Sequence, residues 1–350
     1  MKKTKINKKK LIILLIIIFI IILESYNILI NLFYYFNKYK LNNNILLQID
    51  TTILNKIQGG PGSFLRGINE VLPLSINKCD FIPSSIINFI FKIDYYYFTF
   101  PQFKESQFEK LVKNKIINKY ILGPVFVPKK WEFFPDLNEW EEKRFPEILN
   151  LTKAIAVHSK RVMNYLSLRS NTTYNIDKFK IIRACTNIKP KKVNQFNERN
   201  IDIIFFEKYA DFNHSIQGEK LFSLFNKTKK KIVSIKYGSY NKKILKKIAN
   251  NSKFIIYFSF YDTGAIGLKE IQNFGVISFV HQEDLMINNE TCFLIPELAI
   301  LYNMTKAFEK IMATIDIIST KYPDCELIAK KNQYANNCQN SLRDFCKNLF

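Results

Sequence analysis

The chain has 350 residues, a hydrophobic content of 47% and a formal charge of +22 at neutral pH. This length is enough to bury full hydrophobic cores and suits two domains better than one. Lysine greatly outnumbers arginine, so most of the charge is explained by a biased composition; the functional interpretation is attraction to anionic donors or membrane surfaces. The sequence lacks the zinc-finger spacing, RNP pattern or arginine-rich arm of a nucleic-acid-binding protein.

The N-terminus is predicted to be a membrane anchor. A lysine-rich tail over residues 1–10 precedes an unbroken apolar run at Leu11–Leu23. As a helix this run is about 20 Å long, and extension to Phe36 makes it long enough for a hydrocarbon core of about 30 Å. We expect an uncleaved signal anchor over residues 11–36. A cleaved signal peptide is the competing interpretation, but no alanine or glycine precedes Gly59 to form a cleavage site.

The order of lysines and apolar residues also predicts how the chain is oriented across the membrane. Lysines ahead of the anchor favour a cytosolic N-terminus, so the rest of the chain is expected in the lumen. This is the topology of a single-pass type II membrane protein of ER- or Golgi-like membranes. Seven N-x-S/T sequons and six cysteines are compatible with a glycoprotein in an oxidising compartment, without fixing any disulfide pairing.

A polar stem over residues 37–44 leads into a predicted first domain over residues 45–186. Short apolar and β-branched runs alternate there with helix-forming segments, which is typical of a Rossmann-like α/β domain. The strands are predicted at Ile45–Ile49, Ile93–Phe100, Ile121–Pro128 (with a loop inside it), Ala154–Val157 and Ile181–Ala184.

A glycine-rich loop follows the first predicted strand. Gly59, Gly60 and Gly62 precede a helix that we expect at Leu65–Leu72. Free backbone N–H groups at such a helix start can contact a phosphate or a substrate. A plain strand-to-helix turn is the alternative interpretation. No Gly-Lys-Ser/Thr follows, so this is not a Walker loop.

His158 directly follows the buried run Ala154–Val157. Open α/β sheets bind ligands at the carboxyl ends of their strands, so we expect His158 to contact a ligand hydroxyl or phosphate. The alternative is a structural hydrogen bond.

Residues 187–200 are predicted to be an interdomain linker, because they contain Pro190 and many charges and lack periodicity. The second domain, residues 201–300, begins with a strand at Ile201–Phe206, and Lys208 lies at the end of that strand. Residues 301–350 are expected to form C-terminal helices. Within these regions we predict helices at Leu221–Phe225, Lys242–Asn250, Met304–Ser319 and Asn336–Leu349, and a strand at Lys231–Ile235.

The most informative segment begins with the apolar run Phe254–Phe258, which is typical of a buried parallel strand. A turn at Ser259–Gly267, a helix at Leu268–Asn273 and a second buried run at Val276–Val280 follow. This order is half of a nucleotide-binding βαβ unit. Asp262 and Glu270 flank the turn, and their carboxylates can accept hydrogen bonds from ligand hydroxyls.

This segment resembles the E-x7-E signature of retaining GT-B glycosyltransferases of the group 1, family 4-like type. The departures are Asp262 for the first glutamate, Ile277 for a proline and Cys292 for a glycine in a turn similar to Asp-Gly-x-x-Gly-Phe. Gln217-Gly218 stands where the family has Lys-Gly. The matching positions are Ser259, Gly267, Leu268, Glu270 and Gly275.

The resemblance implies two Rossmann-like domains facing a cleft, in which a sugar passes from a nucleotide-linked donor to a glycan, protein or lipid acceptor with retention of configuration. Glu270 and Asp262 would be the catalytic pair, with Glu270 holding the ribose and Asp262 the donor sugar. Lys208 would bind the diphosphate. The backbone of Thr263, Gly264, Gly267 and Leu268 would contact the donor, and Gly59, Gly60, Gly62 and His158 would lie on the substrate side.

No cofactor and no metal ion are expected. The sequence contains no D-x-D pair, which metal-dependent sugar transferases usually need. Positive charge must then stabilise the leaving diphosphate. Two alternatives remain: a catalytically degenerate lumenal protein that keeps the fold, motivated by Asp262, Gln217 and Cys292, and a membrane-anchored structural or interaction protein.

Overall fold

The computed structural model of the protein describes residues 16–27, 45–49, 59–71, 94–99, 120–125, 154–160, 163–164, 176–208, 212–259, 264–282, 285, 290–298 and 303–349. These residues form two five-stranded β-sheets, in which every pair of neighbouring strands is parallel. Helices lie between and after the strands. The prediction of an α/β chain with parallel sheets is therefore confirmed.

The first described helix, α1, covers residues 16–27, and its side chains are exposed. Its large apolar residues from Ile16 to Leu23 are 44% to 62% exposed. Among the described residues, no helix combines the length and the apolar character that crossing a bilayer requires. The anchor predicted over 11–36 extends past the described part of α1 at both ends, and the predicted stem over 37–44 lies outside the described residues.

The first sheet has its strands side by side in chain order. Beyond the last strand, the amide of Ile182 still donates to the carbonyl oxygen of Val157, at 2.8 Å. The last strand thus lies slightly earlier in the chain than predicted, with Ile182 and Ala184 buried just past its end. The strands are β1 (Ile45–Ile49), β2 (Asp94–Thr99), β3 (Tyr120–Val125), β4 (Ala154–Val157) and β5 (Phe179–Ile181).

Helix α2 spans Gly59–Val71 between β1 and β2. The predicted glycine loop is wrong in its local conformation, because Gly59, Gly60 and Gly62 lie in the first turn of this helix. Pro61 is tolerated in a first turn, where its missing N–H would have had no intrahelical acceptor. Phe64 and Ile68 are fully buried and lie one turn apart on the same face, so burial of that face favours the helix.

The second sheet has the order β10-β9-β8-β6-β7. From β6 the chain passes first to β7 on one side and then to β8 on the other. The strand order therefore reverses between β6 and β8, which is the topological switch point of an open α/β sheet. The strands are β6 (Ile201–Lys208), β7 (Ile232–Lys236), β8 (Ser252–Ser259), β9 (Ile277–Val280) and β10 (Cys292–Leu294).

Helices cover both faces of this sheet. On one face Phe205 and Phe258 pack with α3 (Phe212–Asn226) and α6 (Met304–Ser319). On the other, Phe206 and Tyr257 pack with α4 (Lys242–Asn250) and α5 (Ile266–Gln272). All four rings are at most 1% exposed, and burial of each stabilises the fold by roughly 1.5–3 kcal/mol.

Residues 187–200 were predicted to be a linker, but the C-terminal part of this segment packs against the second sheet. Phe196 belongs to that sheet's core. Arg199 is 2% exposed, and its guanidinium donates to the carbonyl oxygens of Phe274 at 2.6 Å and Ser252 at 2.5 Å. Burial lowers the pKa of the Arg199 guanidinium. Its charge is thus held by backbone dipoles, as a buried cation requires.

The chain ends with α7 (Cys325–Ala335) and α8 (Cys338–Leu349). Helix α8 returns to the first sheet, where it packs on α2 and β5. Cys338 at its start forms a disulfide with Cys185, 153 residues earlier in the chain. The Ser341 hydroxyl donates to the carbonyl oxygen of Arg183, at 2.6 Å. The C-terminal helix α8 is therefore connected to residues that follow the first sheet by a disulfide and a hydrogen bond.

Candidate functional site

The switch point of the second sheet places a predicted site residue, Lys208, beside a position of the family signature, Ser259. Lys208 at the end of β6 is the register partner of Ser259 at the end of β8. Register partners on parallel strands point to the same face, here the face on which Phe206 and Tyr257 stack at 5.1 Å. Ligands of open α/β sheets bind beyond the carboxyl ends of the strands at this point.

Lys208 and Ser259 differ in their surroundings. The Lys208 ammonium lies 4.6 Å from the centre of the Tyr237 ring, a cation–π contact. The Ser259 side chain is 2% exposed, and its hydroxyl has no hydrogen-bond partner in the described part of the chain. A buried hydroxyl without a partner is unfavourable, so Ser259 marks a polar position at the end of β8.

The loop after β8 reaches the first sheet. Asp262 and Thr263 lie outside the described residues, whereas Gly264 is described. A Cβ atom at Gly264 would lie 3.3 Å from Cβ of Ala184 and 3.7 Å from Nε2 of His158. Ala184 follows β5 and His158 follows β4, so the carboxyl ends of both sheets meet in one region, which we call the inter-sheet crevice.

His158 is buried at the edge of this crevice. Its Nδ1 lies 3.1 Å from the carbonyl oxygen of Ile182, and Phe64 packs edge-on against the ring at 4.9 Å. Because a carbonyl oxygen only accepts, this contact places the proton on Nδ1 and turns the Nε2 edge towards Gly264. The structural hydrogen bond considered for His158 is present; its contact with a ligand stays a prediction.

Helix α5 carries the other signature residues. It starts at Ile266, so Gly267 is helical and not part of the predicted turn, whereas Leu268 is helical as predicted. A Cβ atom at Gly267 would lie 3.2 Å from both Cζ of Phe206 and the Tyr240 hydroxyl oxygen, which explains a glycine there. The Leu268 side chain is fully buried in the core, so only its backbone is open to the predicted donor contact.

Glu270 lies on α5, and its side chain is 6% exposed. Its Oε1 accepts from Nζ of Lys242, the first residue of α4, at 3.1 Å. The same ammonium donates to the Ser63 hydroxyl on α2, at 3.2 Å. One lysine thus connects three helices across the inter-sheet crevice. A buried carboxylate needs such a partner, because desolvation penalises an isolated charge.

The glycines predicted to contact the substrate are on the same helix as Ser63, which accepts a hydrogen bond from Lys242. Gly59, Gly60 and Gly62 occupy the first turn of α2, immediately before Ser63. The sequence predicts the helix of α4 but gives no sign that Lys242 or Ser63 contacts Glu270, because lysines are spread throughout this chain. The only local indication is Asn241, whose side chain caps α4 by accepting from the Ile244 amide.

Gln217 and Cys292, two of the positions that depart from the signature, lie within the described residues. Gln217 is a half-buried amide on α3, and Cys292 is a buried thiol that lies 3.7 Å from Nε2 of Gln272. Across the described residues, no cluster of three or more His, Cys, Asp or Glu side chains is arranged to hold a metal ion. Metal-independent transfer stays a prediction.

Comparisons with known proteins give weak similarities. No protein-family model matches the chain, and no curated protein matches it. A structure of accessory secretory protein 1, 2 and 3 from Streptococcus pneumoniae aligns at 10% identity and a TM-score of 0.36, over 73% of this chain and 56% of that one. A structure of the glycotransferase of kitacinnamycin aligns at 11% identity and a TM-score of 0.24, over 69% and 73%. The chain thus spans little more than half the length of the first structure, and both scores are too low to establish a common fold.

Proposed function

We propose that the chain is a glycosyltransferase of GT-B architecture, which transfers a sugar from a nucleotide-linked donor to a glycan, protein or lipid acceptor. One observation carries the proposal. The signature residue Glu270 and the signature loop, through Gly264, lie at the same inter-sheet crevice as His158 from the first sheet. A transferase has to bring a donor and an acceptor together at such a place.

The roles are those that the resemblance implies, and each suits the chemistry of its group. Glu270 accepts hydrogen bonds from the ribose, and Asp262 accepts them from the donor sugar. Lys208 binds the diphosphate from the carboxyl end of β6. The backbone of Thr263, Gly264, Gly267 and Leu268 contacts the donor, and the start of α2 and His158 lie on the acceptor side. Retention of configuration rests on the resemblance alone.

The proposed setting is the lumenal side of a membrane, with the chain anchored at its N-terminus. The lysine-rich tail ahead of an apolar run supports this orientation. The apolar side chains of α1 face away from protein, which suits a lipid environment. The Cys185–Cys338 disulfide fits an oxidising compartment.

Donor binding and turnover test the proposal. A panel of nucleoside diphosphates is screened for a rise in melting temperature of the purified chain, because a ligand that binds only the native state stabilises it. Nucleoside diphosphate release is then measured with the matching sugar donors. Glu270→Gln is expected to lower turnover at least tenfold, equal to about 1.4 kcal/mol of transition-state stabilisation, while the protein stays folded.

The matched control is Glu326→Gln on α7. Glu326 is also paired with a lysine, Lys330 at 3.0 Å, but its side chain is 55% exposed. This variant is expected to turn over donor at the wild-type rate. Wild-type turnover by Glu270→Gln would remove Glu270 from the site, and the absence of binding to every nucleoside diphosphate would refute the proposal.

A second candidate is a catalytically inactive protein that keeps the fold. It is favoured by the signature departures: the neutral amide of Gln217 replaces a lysine, and Cys292 is packed into the core. Such a protein would bind a nucleoside diphosphate without releasing it from any sugar donor. Donor hydrolysis or transfer by the wild-type chain therefore distinguishes the two candidates.

A further inference from the structure

A diphosphate leaving group needs more positive charge than the sequence signature provides. Without a metal ion, cationic side chains must neutralise the charge that develops on the diphosphate. Lys208 is one such cation. The position where the resembling family has a second lysine is Gln217, whose side-chain amide carries no charge.

Lys242 provides a cation at the inter-sheet crevice from a different helix. Its Nζ lies 3.1 Å from Glu270 and 3.2 Å from the Ser63 hydroxyl, so the ammonium points into the crevice. Its side chain is 55% exposed, against 6% for Glu270. The carboxylate is therefore fixed within the protein, whereas the long lysine side chain has solvent-accessible room to change partners.

The backbone around Lys242 is held on the same sheet face as Lys208. Tyr240, two residues earlier, packs edge-on against Phe206 at 5.8 Å. Its hydroxyl lies 3.2 Å from the place a Cβ would take at Gly267, one turn before Glu270 on α5. Phe206 in turn precedes Lys208 on the same face of β6. The contact between Phe206 and Tyr240 thus links the strand that carries Lys208 to the segment just before α4, where Lys242 lies.

The buried Ser259 hydroxyl is a second polar feature of this face. It is 2% exposed and has no partner in the described part of the chain, and it is the register neighbour of Lys208. A hydroxyl can donate to a phosphate oxygen. Lys208, Ser259 and Lys242 are therefore the groups that suit an anionic ligand here.

We propose that Lys242 is the second cation of the donor-diphosphate site and that it exchanges partners when the donor binds. In the ligand-free chain it neutralises Glu270. When the donor arrives, the ammonium moves to the diphosphate, and the Glu270 oxygens become available to the ribose hydroxyls. This inference rests on the proposed function and deepens it, because it names the residue that compensates for Gln217.

The exchange has a recognisable energetic consequence. Glu270 and the diphosphate are both anionic, and they compete for the same ammonium. Removal of the Glu270 charge should therefore make inorganic pyrophosphate binding tighter, even though binding of a nucleoside diphosphate loses the ribose contact. If the lysine served only to neutralise Glu270, pyrophosphate binding would stay unchanged.

The test uses the full-length chain with inorganic pyrophosphate, UDP, GDP and ADP as probes, in calorimetric titrations with a chelator present. Lys242→Met is expected to raise the dissociation constant of pyrophosphate, and of the nucleoside diphosphate that the wild type prefers, at least tenfold. Lys242→Arg should restore most of the affinity. The matched control is Lys243→Met, the next residue on α4 and also exposed, which should bind like the wild type.

A double variant separates a loss of binding from a loss of folding. Lys242→Met leaves Glu270 as an unpaired buried carboxylate, whereas Lys242→Met with Glu270→Gln removes both charges. The double variant should still bind pyrophosphate at least tenfold more weakly than Glu270→Gln alone. Equal affinities for these two proteins would overturn the assignment of Lys242.

The experiment distinguishes failure of the role proposed for Lys242 from failure of the proposed glycosyltransferase function. If a nucleoside diphosphate binds the wild type and Lys242→Met binds it equally well, only the role of Lys242 is refuted. Unchanged or weaker pyrophosphate binding by Glu270→Gln would refute the partner exchange. If none of the four probes binds the wild type, the proposed function and this inference are refuted together.

Discussion

Lys269 and Glu270 are neighbours on α5, and both side chains are buried, yet they bond to different parts of the molecule. Nζ of Lys269 donates to the carbonyl oxygen of Ala184, just past the first sheet, at 2.6 Å. Glu270 accepts from Lys242 on α4 at 3.1 Å. The position of the candidate carboxylate therefore depends on contacts from both halves of the chain.

Lys269→Met is expected to lower the free energy of unfolding by about 1–3 kcal/mol. The substitution keeps the length and apolar stem of the side chain but removes the charged donor that reaches Ala184, and a hydrogen bond from a charged group to a buried acceptor has this value. Urea unfolding followed by circular dichroism measures the change.

Lys246→Met is the control, because Lys246 is exposed on α4. An exposed substitution of this kind changes stability by no more than about 0.5 kcal/mol. If Lys269→Met and Lys246→Met unfold at the same urea concentration, the hydrogen bond between Lys269 and Ala184 does not stabilise the contact between the two sheets.

The strands of the second sheet are the part of the fold that the sequence predicts best. A strand buried on both faces is a continuous apolar run, and β6, β8 and β9 all have this character. The structure extends β8 beyond the predicted Phe254–Phe258 because its ladder with β6 continues through polar residues, up to the pair of Lys208 and Ser259. Hydropathy cannot detect a strand end that consists of polar residues.

Elements that depend on long-range contacts are the part that sequence patterns miss. The strand β10 has only three residues at a sheet edge, and its segment was predicted as a turn. Helix α7 is fixed by the Asp324 cap and by Asn332, which donates to the carbonyl oxygen of Gln272. Arg199 and Lys242 are recognisable as important only when their distant partners are known.

Gly275 is expected to be among the least replaceable residues of the chain. Its φ is 74°, and a Cβ atom there would lie 2.1 Å from the carbonyl oxygen of Cys325. Gly275→Ala combines left-handed backbone strain of about 1 kcal/mol with a backbone clash that forces α7 to shift, typically a further 1–3 kcal/mol. Thermal or urea unfolding measures the total.

Gly238 is a matched control for the backbone component. Its φ is 83°, but no atom of the described residues beyond its chain neighbours lies within 4 Å of the Cβ position. Gly238→Ala should therefore lower stability by only the left-handed strain of about 1 kcal/mol. Equal losses for the two variants would show that α7 does not press against Gly275.

The Cys185–Cys338 disulfide is expected to stabilise the chain by about 2–5 kcal/mol, because it closes a long loop and restricts the unfolded state. The pair is 153 residues apart in sequence. Replacing both cysteines with alanine should lower the urea midpoint of unfolding. Adding a reductant should lower the wild-type midpoint to the same value and leave the double variant unchanged. A wild-type midpoint that does not respond to complete reduction would contradict this role.

The stability contributed by Glu297 is expected to depend on pH. The ammonium of Lys310 donates to this carboxylate, with Lys306 at 3.8 Å, and together they outweigh burial and hold the pKa of Glu297 below its ordinary value. A carboxyl group whose folded pKa is depressed contributes stability above its unfolded pKa of about 4.3, and that contribution is lost as the pH falls through the folded pKa.

Glu297→Gln tests this dependence through the free energy of unfolding between pH 7 and pH 3. The wild type should be more stable than the variant at neutral pH, because the variant lacks the charge that pairs with Lys310 and Lys306. The difference should shrink below about pH 4 as the carboxylate becomes protonated. Glu326→Gln, which breaks the exposed pair with Lys330, should differ from the wild type by less than about 0.5 kcal/mol throughout. A Glu297→Gln difference that stays constant over the whole range would mean that the lysines do not lower the pKa of Glu297.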